Sequence, residues 1–303
     1  MHDPDFRTEP APGALTPLAE IVTGWFTESA RNLPWRHPGT TAWSVLVSEV
    51  MLQQTPVSRV LPVYEQWLGR WPTPAALAAD SAGEAVRLWG KLGYPRRALR
   101  LHACAVAITR KHGGVVPDGL TELLSLPGVG EYTARAVQAF AYGRRAAVVD
   151  TNVRRVLARA VGGQAQAGPP STTRDLAAME AVLPDADTAA ALFCAAMMEL
   201  GAVVCTSASP SCASCPVLGV CAWRLAGSPA YDGPVARPQR FAGTDRQVRG
   251  LLMDVLRSAH HPVPQSALDV VWPVDAQRQR AQDALVADGL IDPLPDGRFA
   301  LPA

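Results

Sequence analysis

The chain has 303 residues, 48% of them hydrophobic, enough to bury a sizeable core and to build more than one domain. Lysine and arginine number 28 against 27 acids, a net charge of only +1, so attraction to a polyanion must come from local patches. No apolar run reaches membrane-spanning length and no signal peptide opens the chain, which excludes a membrane protein and points to a soluble protein of the reducing cytosol.

Residues 1–14, with Pro4, Pro10, Pro12 and Gly13, read as a disordered arm. Helical periodicity then dominates from Leu15 to about Trp223 and β-branched alternation is scarce, which predicts a nearly all-α core. Turn residues punctuate it at Leu33-Pro34, His37-Pro38-Gly39, Trp71 to Pro74, Lys91 to Pro95, His112-Gly113-Gly114 and Gly168-Pro169-Pro170. Trp43 to Leu52 is apolar on nearly every side and must be buried, yet it carries Glu49. A buried acid without a cationic partner keeps its proton near neutral pH, which makes Glu49 a candidate general acid. A glutamate reaching solvent at the mouth of its helix is the plainer reading. Arg87, Lys91, Arg96, Arg97, Arg100, Arg110 and Lys111 follow with no acid between them, and a second basic group runs from Arg135 to Arg159. Each reads either as a solvated helix face or as a nucleic-acid face.

Leu120 to Leu126 predicts a helix, after which Leu126-Pro127-Gly128-Val129-Gly130 turns into a second helix, Glu131 to Tyr142. Glycines there permit positive φ and bring the backbone of Gly128, Val129 and Gly130 against a ligand at the positive end of the helix dipole. An ordinary tight helix-helix turn is the alternative. With Val148-Val149-Asp150 beyond it, the pattern resembles the helix-hairpin-helix of DNA glycosylases, where the turn grips one phosphate without reading sequence. Asp150 sits at a helix N-cap, which alone explains an aspartate. Its place shortly after the hairpin and among arginines also suits a carboxylate kept ionised to face developing positive charge. One acid to protonate a leaving group and one anion beside an oxocarbenium-like sugar is what N-glycoside cleavage needs.

Cys205, Cys212, Cys215 and Cys221 are spaced to wrap one metal centre, whereas Cys104 and Cys194 lie in apolar helical stretches as small hydrophobes. The uneven spacing, with Pro216 after the third cysteine, points to a [4Fe-4S] cluster ahead of structural zinc, and a disulfide arrangement is the weakest alternative. Gly227 to Pro238 reads as a linker. Beyond it come predicted helices at Asp245 to Ala259, near Gln265 to Val270 and at Asp275 to Ala287, then a small hairpin through Gly289-Leu290-Ile291 and Gly297 to Leu301. That order suggests a winged-helix-like module. Acids outnumber bases in it, which favours packing or protein docking over DNA reading.

Leu33-Pro34-Trp35-Arg36, Ser48 to Thr55, Leu92-Gly93-Tyr94, Leu126 to Gly130, Val149 to Val153 and the four-cysteine loop together resemble the MutY-type adenine DNA glycosylases from about Leu15 to Arg224. The resemblance implies an all-α, two-lobed helix-hairpin-helix glycosylase core with a [4Fe-4S] loop, spanning residues 15–241. In it a six-helix lobe (about 38–145) is inserted in an iron-sulfur lobe (15–37 and 146–226), and a linker (227–241) leads to the winged-helix-like module at 242–303. It implies a monomer that acts on double-stranded DNA with mispaired adenine, in the cytoplasm beside the nucleoid, and releases adenine paired with 8-oxoguanine or guanine. Catalytic positions are Glu49, which protonates adenine N7, and Asp150, which stabilises the cationic sugar, assisted by Tyr132 and Asn152. Arg31, Trp35 and Leu52 match the adenine pocket, Gln53 and Gln54 probe the strand near the lesion, and Tyr94 wedges into the opposite strand. Tyr132 stands where bifunctional relatives place a lysine, which implies a monofunctional enzyme and argues against the alternative, an endonuclease III-like pyrimidine glycosylase. Two departures are Ala195, where the family usually offers Gln or Glu to the adenine edge, and some sixty helical residues in place of a Nudix-like C-terminal domain.

Overall fold

Side-chain oxygens start many of the helices. Thr16, Thr41, Thr73 and Ser81 each accept the backbone N–H three residues on, at 3.1 to 3.2 Å, which satisfies a donor that the first turn leaves unpaired. The structure, a computed structural model, describes residues 16–233 and 241–303. The arm expected at residues 1–14 and part of the linker expected at 227–241 lie outside the described residues.

The helices are α1 (Pro17–Ser29), α2 (Ala42–Leu52), α3 (Val57–Arg70), α4 (Pro74–Ala78), α5 (Ala82–Trp89), α6 (Arg96–Lys111), α7 (Leu120–Leu124) and α8 (Glu131–Tyr142). They continue as α9 (Thr151–Ala160), α10 (Thr172–Glu180), α11 (Asp187–Val203), α12 (Ala222–Leu225), α13 (Asp245–Ser258), α14 (Gln265–Asp269) and α15 (Asp275–Ala287). Among the described residues, three short strands complete the order: β1 (Val263–Pro264) before α14, then β2 (Asp292–Pro293) and β3 (Arg298–Ala300). They form an antiparallel sheet in the order β1-β3-β2, with Val263 opposite Phe299 and Asp292 opposite Ala300. The fold is therefore mostly helical, and this sheet, with the unexpected β1, is its departure from an all-α reading. The first hairpin helix also stops at Leu124, two residues before its expected end.

The chain divides into two compact units, Met1–Thr40 with Glu131–Val235, and Thr41–Gly130 with Ala236–Ala303. In the first, α11 is apolar nearly all round and so lies in the middle, where Phe193, Met197 and Leu200 meet Val22 and Phe26 of α1 and Val153, Val156 and Leu157 of α9. In the second, Trp67 is fully buried and packs edge to face on Trp71 and Trp89, with centroids 4.7 and 5.6 Å away.

The C-terminal segment of the second unit is seated on α5. Arg87 donates to the carbonyls of Leu256, Arg257 and Ala259 at the end of α13, and Arg257 Nε returns a bond to the Val86 carbonyl at 3.2 Å. A Cβ on Gly83 would stand 2.4 Å from the Pro302 carbonyl oxygen, so only glycine lets the chain end approach α5. Lys91 pairs with Asp254, and Arg96 and Arg249 with Asp288. The basic run expected as a nucleic-acid or solvated face is thus partly spent inside its own unit: Arg87, Lys91 and Arg96 hold the C-terminal segment, and Arg97 is buried.

Candidate active site and cysteine loop

In the second unit, Glu49 lies in the middle of α2 and is 4% exposed, flanked by buried Ser48, Val50 and Met51. Leu52 ends the helix, half-buried, and Gln53 follows as its C-cap. Gln54 and Tyr94 stand exposed on two neighbouring turns, each with positive φ, 55° and 48°. In the hairpin turn the positive φ belongs to Gly128 alone, at 77°, where a Cβ would meet the Arg100 Cβ at 2.7 Å. Gly130 does not share it. A Cβ there would meet open space, so the expectation that both glycines bend the chain holds only for Gly128. Val129 between them is buried, and its N–H bonds the Leu126 carbonyl.

In the first unit, Asp150 caps α9 by accepting the Val153 N–H at 2.7 Å, and its other oxygen accepts Asn152 Nδ2 at 2.8 Å. Arg155 extends this line: it donates to Asn152 Oδ1 at 2.7 Å and to the carbonyls of Cys205 and Gly201 at 2.6 and 2.7 Å. Burial raises the Asp150 pKa above the ordinary value, and the bonds from Val153 and Asn152 and the Arg155 charge oppose it without cancelling it. Asp150 and Asn152 are therefore brought together by one helix start. Tyr132 is half-buried and lines a hollow with Arg135, Val149, Arg154, Asp175 and Leu176.

Arg31 and Trp35 belong to the same unit. Trp35 is buried in the short turn Pro34–Arg36. Arg31 turns its fork onto Glu199 of α11, Nε to Oε1 at 2.6 Å and Nη2 to Oε2 at 2.8 Å, and Arg36 adds a bond to Oε2 at 2.9 Å. Burial alone would raise the fully buried Glu199, but the bonds from Arg31 and the charge of Arg36 bring its pKa down to about 2. Ala195 lies on α11, packed against the core.

Cys205, Cys212, Cys215 and Cys221 line one cavity beneath α9, closed by Val156, Arg159, Leu200, Val217 and Trp223, and none is in a disulfide. Arg159 donates to Cys205 Sγ at 3.4 Å and to the carbonyls of Thr206 and Ser207, while stacking on Trp223. Among the described residues, no three Cys, His, Asp or Glu side chains converge as ligands of a single ion. Cys104 and Cys194 are buried, and burial holds their thiols up at about 12 and about 11.

Reading the sequence missed Glu199 and Arg97. The first carried the same signal as Glu49, a lone acid in the middle of an apolar helix. The second was hidden in a basic run, where a buried arginine looks like its exposed neighbours.

Residues 47–180 match the model of the HhH-GPD superfamily base excision DNA repair proteins. The chain is 58% identical over 282 residues to an adenine DNA glycosylase of Mycobacterium tuberculosis, covering 93% of this chain and 92% of that protein. The adenine DNA glycosylase of Mycolicibacterium smegmatis is 59% identical, with 92% and 94% covered. That of Homo sapiens is 41% identical over 219 residues, 68% of this chain and 39% of the human protein. Among solved structures, a thermostable thymine-DNA glycosylase superposes with a TM-score of 0.61 at 25% identity, covering 69% of this chain and 95% of that one. A trapped endonuclease III-DNA covalent intermediate gives 0.58, also at 25%, with 69% and 94% covered.

Proposed function

The chain belongs to the adenine DNA glycosylases of the HhH-GPD superfamily, and from this we propose that it releases adenine mispaired with 8-oxoguanine or guanine, as a monomer and without cutting the backbone. It is a DNA-binding N-glycosylase of base excision repair. The target base leaves the stack before its glycosidic bond is reached. Glu49 then gives its proton to adenine N7, the C1′–N9 bond breaks with its electron pair going to the base, and Asp150 stabilises the cationic sugar until water adds at C1′ and passes a proton to the Glu49 carboxylate. Asn152 holds the Asp150 carboxylate, and Tyr132 assists without the amine that a Schiff base requires. Arg31, Trp35 and Leu52 line the adenine pocket, with Arg31 positioned by Glu199. Ala195 leaves the adenine edge there without a side-chain partner. The carrying observation is the burial of Glu49, 4% exposed, in the middle of an otherwise apolar helix.

On the DNA side, the turn Gly128-Val129-Gly130 grips one phosphate, supported by the positive φ at Gly128 and the open space over Gly130, while the Val129 N–H stays with the Leu126 carbonyl and shapes the turn. Gln53 and Gln54 probe the strand near the lesion, and Tyr94 wedges into the other. The C-terminal segment is a winged-helix-like module that docks on the core, in keeping with the helix and strand order α13-β1-α14-α15-β2-β3. The mycobacterial matches leave too little of the chain uncovered to omit it, so it is shared with those relatives.

Cys205, Cys212, Cys215 and Cys221 hold a [4Fe-4S] cluster. Four free thiols line one hollow, and their uneven spacing, with Pro216 after the third, suits a cubane ahead of one zinc. When bound, the cluster supplies a covalent tie across the loop that Arg155 and Arg159 grip from α9.

The test is single-turnover release of labelled bases from duplexes bearing A:8-oxoG, A:G, A:C, T:G and thymine glycol. Adenine should leave opposite 8-oxoguanine and guanine, with no strand break. Glu49→Gln should stop release and keep duplex affinity, and retained turnover would exclude Glu49 as the acid. Iron and acid-labile sulfide should accompany the purified protein with a visible absorption band; a colourless protein holding one zinc would overturn the cluster.

A further inference from the structure

Gln54 and Tyr94 are non-glycine residues held in the left-handed region, and both are exposed. Such conformations cost free energy and persist only where the surroundings over-determine them. Both turns are tied to Arg97. Its Nη1 donates to the carbonyls of Val50, Met51 and Gln53 at 2.9, 3.1 and 2.6 Å. Its Nη2 donates to Thr55 Oγ1 at 3.0 Å and to the carbonyls of Leu92 and Gly93 at 3.4 and 3.0 Å. Gln53 and Thr55 bracket Gln54, and Leu92 and Gly93 lead into Tyr94. The guanidinium is also over the rings of Trp89 and Tyr94, 5.2 and 5.4 Å from their centroids. Arg97 is 8% exposed, and only its Nε lacks a hydrogen-bond partner among the described residues. Val50 and Met51 lie in the last turn of α2, where unpaired carbonyls and the negative end of the helix dipole favour a cation.

We propose that Arg97 is a positioning residue, a clamp that fixes the Gln53–Thr55 turn and the Leu92–Tyr94 turn in one register so that Gln54 and Tyr94 enter the duplex together at the mispair. This rests on the reading of those two residues as probes of the duplex. The clamp pays the ordering of both tips during folding, so that binding does not. The planar fork is essential. A lysine ammonium keeps the charge but cannot span acceptors on a helix end and two turns.

The experiment uses the full chain, with Arg97→Lys and the milder Thr55→Val, which keeps Arg97 and removes one of its acceptors. Affinity is measured for an A:8-oxoG duplex and for a fully paired duplex of the same sequence, with 2-aminopurine beside the mispair reporting unstacking. Arg97→Lys should lower the preference for the mispair about tenfold, the equivalent of ordering one more residue on binding, and should dim the 2-aminopurine signal. Thr55→Val should shift both readouts the same way by roughly threefold. A merely structural role would lower the melting temperature and leave the preference and the signal of the folded fraction alone. Unchanged preference and signal in folded Arg97→Lys, or in Thr55→Val, would overturn the clamp while wild-type adenine release upheld the enzyme reading. A wild-type protein that neither releases adenine nor brightens the probe would overturn both.

Discussion

Glu199 shows how a carboxylate can be fully buried and remain charged. Arg31 and Arg36 close on its two oxygens from the segment after α1, and the carboxyl group sits near pKa 2 although burial alone would push it the other way. Because the folded pKa lies below the ordinary glutamate value of 4.5, this stabilisation is fully present above that value and is lost as pH falls from there toward 2. Glu199→Gln should therefore cost about 3 kcal/mol at pH 7, since it leaves two cations facing a buried neutral group. The gap between variant and wild type should narrow in urea unfolding below pH 4.5. A gap independent of pH would mean that packing, not charge, is what the glutamate supplies. The burial of Glu49 was legible in the sequence because an acid stood alone in an apolar helix. Glu199 was equally conspicuous, but its partners lie more than 160 residues away in the chain and no local pattern announces them. Arg97 was illegible for a different reason: burial depends on which face of α6 meets α2, and three arginines within five residues give no sign of which one turns inward.

At the scale of elements, α9 ties the proposed chemistry to the cysteine loop, with Asp150 at its start and Arg155 and Arg159 reaching Cys205, Thr206 and Ser207. Its first turn lies against Gly201 of α11, where a Cβ would stand 2.7 Å from the Asn152 Cβ and 2.8 Å from its carbonyl oxygen. Backbone cannot yield as a side-chain tip can. Gly201→Ala should push the start of α9 away, cost about 1–3 kcal/mol in stability, and slow adenine release far more than it weakens duplex binding. Equal losses in rate and affinity would place the damage elsewhere. Helices with clear punctuation were legible to the residue: Glu131–Tyr142 and Asp275–Ala287 fall where their turn and apolar patterns put them. The strands were not, because β1 and β2 are two residues long and exist only through pairing with β3. Two residues carry no periodicity, and Val263 finds Phe299 across an intervening pair of helices.

For the whole molecule, the near-neutral charge conceals a division of labour among the bases. Arg87, Lys91 and Arg96 would strengthen a DNA face if free, yet they face Asp254, Asp288 and the carbonyl end of α13. The acidic balance of the C-terminal segment was visible in the sequence and argued for docking. That its acids would take up part of the basic run was not, because charge runs show sign but not partner. Arg87 is the centre of this attachment, since one nitrogen serves three carbonyls where α13 ends and has no further N–H groups to offer them. Arg87→Ala leaves those carbonyls without their donor in a half-buried seam, a loss of about 1–3 kcal/mol. The loss should be local. Hydrogen exchange should rise in α13 and at the chain end that rests on Gly83, while α1, α9 and α11 keep their protection. If Arg87→Ala instead loosened both units alike, or left α13 as protected as before, the C-terminal segment would be held by its apolar contacts with α5, and the charge pairs would be incidental to it.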